Sequence, residues 1–153
     1  MKSRINSYQT APGVMKAMMA LQNEVAQSGL DPSLVGLVEI RASQINGCAF
    51  CLHMHTRDAR ARGETEQRIY LLDAWRESPL YSERERAALA WTEAATLVSQ
   101  THVPDEVYEQ AKAAFSEEEL AKLTLLVVTI NAWNRFSIAF RAMHPIDTVK
   151  AAT

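Results

Sequence analysis

The chain has 153 residues, 48% of them hydrophobic and 22% charged, with a formal net charge of −2. That length supports a full core within one domain over 1–153. The interspersed, near-neutral charge excludes a phosphate-binding surface and with it a nucleic-acid partner. The opening residues lack the apolar stretch and cleavage site of a secretion signal, and the longest mainly apolar run, Leu123 to Trp133, is too short to span a bilayer. A cytoplasmic setting without a membrane partner is therefore expected.

Prolines and glycines punctuate the chain at helix ends. Pro12 opens a predicted helix that runs to Ser28, with Gly29 just past its end. Asp31 and Pro32 supply an N-cap and a first-turn proline for the next, which stops at Asn46-Gly47. A third starts at or near Cys48 and reaches about Arg62, before Gly63. Thr65 caps a fourth, closed by Ser78-Pro79. Ser82 with Glu85 and Ser116 with Glu119 are capping boxes, each pair satisfying the other's backbone donors. The first opens a helix to about Gln100 and the second a long helix to about Met143, with one more starting at Pro104 between them. "LTLLVVTI" alone resembles a buried strand, but the capping box before it and the lack of a partner strand favour helix. The expected fold is all-α, a single domain of about seven helices.

Chemistry concentrates in "QINGCAFCLHMHTRDA", Gln44 to Ala59, which holds both cysteines and two of the four histidines. Three readings compete: a metal clip, a redox pair, and small hydrophobes in a helix core. With Cys48 in the first turn and about 100° per residue, Cys51 falls near ~300°, His55 near ~340° and His53 near ~140°. Cys48, Cys51 and His55 thus share a face from which His53 turns away. One helix face offers at most three ligands where structural zinc needs four, although His102, His144 or a carboxylate would be available to complete a site. Two cysteines at i and i+3 come close enough for a disulfide. Thiols in a first turn feel the positive end of the helix dipole, and His55 one turn on can relay a proton.

A carboxylate behind the imidazole would complete such a relay. Glu39 and Glu93 are the candidates, each a lone acid on a largely apolar helix. Glu39 could instead face solvent or pair with an arginine, and Glu93 could be a structural partner of Arg135 or Arg141. His53 reads as a surface or interface histidine and His102 as loop structure. Asn131, Asn134 and Arg135 suit hydrogen bonds across a helix interface. Met15, Met18 and Met19 suit core or subunit packing.

"EIRASQINGCAFCLHMH", followed by "ERAALAWTEA" and "INAWNRFSIAFR", resembles the single-domain AhpD-like proteins of the carboxymuconolactone decarboxylase superfamily, from about Leu34 to Arg141. The resemblance implies an all-helical fold, trimers or hexamers, and thiol-dependent reduction of alkyl hydroperoxides, with Cys48, Cys51 and His55 matching the family's C-x-x-C-x-x-x-H. It also implies a dithiol reductant, either a lipoyl protein or a thioredoxin-like donor, and neither an organic cofactor nor a metal. Two positions depart from the best-known peroxidase members. Gly36 stands where they carry the relay glutamate, one turn before Glu39, and Phe50 stands where they have a histidine. The expectation is a peroxidase in which Cys51, nearest His55, attacks and Cys48 resolves. The first-turn dipole argues for the reverse order of sulfurs. The alternatives are a cofactor-free decarboxylase or isomerase of a small carbon acid, and a redox-sensing oligomer.

Overall fold

The computed structural model describes residues 2–146, and among these every regular element is helical. In chain order the helices are α1 (Ser7–Thr10), α2 (Pro12–Ala26), α3 (Pro32–Asn46), α4 (Ala49–Ala61), α5 (Glu66–Tyr70), α6 (Glu83–Thr96), α7 (Val98–Thr101), α8 (Asp105–Ala114) and α9 (Glu117–Phe140), with a 3₁₀ turn at Leu72–Ala74. The all-α class stands, with more and shorter helices than the seven expected.

Local chemistry sets most of the starts. Asp31 accepts from the Ser33 amide at 2.7 Å, and both capping boxes form. Three boundaries differ by more than two residues. The single helix expected after Thr65 splits into α5 and the 3₁₀ turn, because Ile69, Leu72 and Trp75 all enter one core cluster and a spacing of three suits three residues per turn. The helix begun at Glu83 breaks at Leu97, where the Thr101 hydroxyl donates to the Ala94 carbonyl at 2.8 Å and tightens the chain. Finally, α9 ends at Phe140 and Arg141 turns left-handed, while the Arg4 amide and guanidinium occupy the carbonyls of Phe140 (3.0 Å) and Ala139 (2.9 Å).

α3 is the hub, packing against α4, α6 and α9. Leu34 and Val38 join the core formed with α6, α8 and α9, while Leu37 and Ile40 join a second cluster with Leu72 and Trp75. A helix buried on nearly every side has little room for a charge, so Glu39 at its centre needs a partner. α9 is long and apolar enough to cross a membrane by length and composition, and here it packs along α2, α3 and α6.

Candidate active site

Gly47 adopts a left-handed conformation (φ 66°), which a residue with a Cβ adopts at a cost, and it turns the chain from α3 into α4. The turn is tied down from α9. Asn46 Nδ2 donates to Asn131 Oδ1 at 3.0 Å and Asn134 Oδ1 at 2.8 Å, and Asn134 Nδ2 donates to Ser43 Oγ at 3.0 Å. Asn131 and Asn134 thus bridge helices as expected, whereas Arg135 bonds one turn back along α9, to Asn131.

Cys48 then takes the N-cap position of α4 and Cys51 the first turn. Their Cα atoms are 5.3 Å apart and the sulfurs are joined in a disulfide. Cys48 Sγ also accepts the Cys51 amide at 3.3 Å, so this sulfur caps the helix. Each cysteine is only 1% exposed.

Cys51 and His55 line a cavity of about 580 Å³, and Glu39 reaches it from α3. His55 Nδ1 lies 3.0 Å from Glu39 Oε2, with both side chains nearly buried. That approach assigns Nδ1 to the carboxylate and leaves Nε2 as the imidazole's other nitrogen for proton exchange. The carboxylate is thus supplied one helical turn after Gly36. An added Cβ at Gly36 would meet Ala59 of α4 at 3.8 Å and not the imidazole.

Glu93 is placed elsewhere. It accepts from Arg41 Nε (2.8 Å) and Trp75 Nε1 (2.8 Å), and pairs with Arg76. Burial works to raise its pKa, and the donors of Trp75, Arg76 and Arg41 outweigh that and hold it below the usual carboxylate value. Glu93 does not line the cavity, so the structure brings Glu39 to the histidine and leaves Glu93 out. Its arginine partners are Arg41 and Arg76, in place of the expected Arg135 or Arg141.

His53 points away, stacked on His144 at 5.2 Å between ring centres, and His102 occupies a left-handed turn. Met15 and Met18 are buried and Met19 is exposed. A metal clip needs four convergent ligands. Among the described residues no group of even three His, Cys, Asp or Glu side chains is positioned to hold an ion.

Sequence reasoning missed the cavity's other walls. Trp133, Phe136 and Phe140 line it from α9 at a spacing of three and four, a helical stripe legible in principle. Ile5 and Asn6 line it from the segment before α1, an amino-terminal strap over residues 3–6, and Tyr8 lines it from α1 itself. The strap is placed by long-range bonds to the end of α9, a relationship with no local signal.

Residues 12–94 match the carboxymuconolactone decarboxylase family. The chain is 48% identical over 139 residues to the uncharacterized protein YdfG of Bacillus subtilis, covering 91% of this chain and 95% of that protein. It is 34% identical over 116 residues to the uncharacterized protein YnjA of Escherichia coli, covering 76% of this chain and 63% of YnjA. A crystal structure of a protein of unknown function from Agrobacterium tumefaciens, provisionally described as the antioxidant defence protein AhpD, superposes with a TM-score of 0.93 at 46% identity. That match covers 95% of this chain and all of that one.

Proposed function

The chain belongs to the carboxymuconolactone decarboxylase family as an AhpD-like member, and we propose that it is a thiol peroxidase reducing organic hydroperoxides or hydrogen peroxide. The observation that carries the reading is the Cys48–Cys51 pair, with Cys51 opening onto a cavity beside a histidine backed by a buried carboxylate.

In the reduced enzyme His55 takes the Cys51 proton, and Glu39 stabilises the imidazolium that forms. The thiolate attacks the peroxide oxygen, the O–O bond breaks, and Cys51 becomes a sulfenic acid. The departing alkoxide takes the proton from His55 and leaves as alcohol. Cys48 then condenses with the sulfenic acid, releasing water and forming the disulfide. The cavity supports Cys51 as attacker, since it lines the cavity and Cys48 does not.

The dipole argument, which favours thiolate at Cys48, finds its use in the return step. An external dithiol attacks Cys51 and Cys48 departs as a thiolate, at a helix N-terminus and beside the Cys51 amide. The donor's second thiol then releases Cys51, leaving the donor oxidised. A lipoyl or thioredoxin-like protein in a reducing cytoplasm would supply that dithiol, and a homo-oligomer is the assembly proposed.

The test is peroxide consumption coupled to a dithiol donor, for the unaltered protein and for Cys48→Ser and Cys51→Ser. Sustained turnover abolished by either substitution supports the reading; turnover indifferent to both overturns it.

A further inference from the structure

Cys51, Met54, His55, Asp58 and Arg62 all line the cavity, at positions i, i+3, i+4, i+7 and i+11 of one helix face. At 1.5 Å per residue they span roughly 16 Å. The cavity therefore follows most of the length of α4, with the disulfide near one end and the helix C-terminus at the other. Its long wall is apolar, built by Trp133, Phe136 and Phe140.

The charges along it are unequal. Glu39 lies 3.0 Å from His55 near the disulfide end, and Asp58 pairs with Arg57 at 3.2 Å. Arg62 has no ion-pair partner among the described residues. An apolar slot with an unpaired guanidinium at its far end, where Asp58 is held by Arg57, is complementary to an amphipathic anion.

We propose that the cavity takes long-chain organic acids, with the hydrocarbon lying along α4 and the carboxylate at Arg62, so that the substrate class is the hydroperoxide of such an acid. The placement of the peroxide group rests on the peroxidase reading. The recognition of the carboxylate rests on shape and charge alone. Arg62 is a specificity residue, acting on binding and remote from the sulfur.

Calorimetric titration of the full-length protein with dodecanoate and with dodecanol separates the two. Dodecanoate is expected to bind more tightly. Arg62→Met is expected to weaken it roughly three- to tenfold, the range for a charged contact partly screened by solvent, and Arg62→Lys to restore most of the difference. The preference should shrink with added salt. Equal binding of acid and alcohol, or a dodecanoate affinity unchanged in Arg62→Met, overturns the inference. A kinetic arm compares a long-chain acid hydroperoxide with its methyl ester, and a rise in KM confined to the acid is expected in Arg62→Met. Charge-selective binding without turnover of either peroxide would sink the peroxidase reading and leave the ligand class standing. Turnover of both peroxides without charge selectivity would do the opposite.

Discussion

His55 on α4 meets Glu39 on α3 at 3.0 Å, a carboxylate supplied by the helix that packs against α4, α6 and α9. The pair links the cavity beside Cys51 to the core helix α3. His55→Ala should slow peroxide-driven disulfide formation by about 10²-fold, the lower range for a lost proton relay. Glu39→Gln, which keeps the shape and removes the charge, should slow it about tenfold. Single-turnover kinetics on the pre-reduced protein measures both, and rates within twofold of the parent would remove the pair from the mechanism.

The two cysteines should fail differently. With Cys51 attacking, Cys48→Ser consumes one equivalent of peroxide and stops at a sulfenic acid that dimedone traps. Cys51→Ser gives no such burst. Mass spectrometry after one peroxide addition distinguishes them, and a sulfenic acid at Cys48 would reverse the assignment.

Glu93 gathers donors from Arg41, Trp75 and Arg76 and so ties α6 to α3 and to the segment after α5. Replacing it with alanine leaves those donors without their shared acceptor. A loss of about 2–3 kcal/mol is expected, seen as a fall in Tm of several degrees. The rate of disulfide formation should change little at temperatures where the variant stays folded.

Acid should weaken the fold through the same carboxylates. Burial works to raise the Glu85 pKa, and Arg68 and Ser82 overcome it, so both Glu85 and Glu93 sit below their ordinary value of 4.5. A carboxyl depressed on folding adds stability that is complete above its unfolded value and lost as pH falls through its folded one. Tm should thus hold from pH 7 to about 5 and decline below 4.5. Glu93→Gln should start lower and decline less steeply. Identical slopes would show that Glu93 does not carry the linkage.

The bridge between α3 and α9 offers a structural control. Asn134→Ala removes its bonds to Asn46 and Ser43 in a fully buried setting. About 2 kcal/mol of destabilisation is expected in urea unfolding.

What could be read from the sequence was what is decided locally. Asp31, Ser82 and Ser116 cap their helices because each needs only an amide two or three residues away. The shared face of Cys51 and His55 follows from helical geometry alone, and so does the turning away of His53, whereas Cys48, expected on that face, is the N-cap residue and does not line the cavity. What stayed hidden depends on distant partners. The last turn of α9 is closed off by Ser3 and Arg4, more than 130 residues earlier in the chain. Glu39 and Glu93 looked alike as lone acids, and only the packing of α3 against α4 and α6 sends one to the histidine and the other to two arginines and a tryptophan.

The amino-terminal strap carries a practical consequence. Ser3 and Arg4 fasten it to the end of α9 while Ile5, Asn6 and Tyr8 form part of the cavity wall. Sequence added directly before Ser3 would therefore adjoin both that fastening and the cavity wall. A carboxy-terminal tag keeps clear of that fastening, and matched rates for the two tag placements would show the strap to be insensitive to what precedes it.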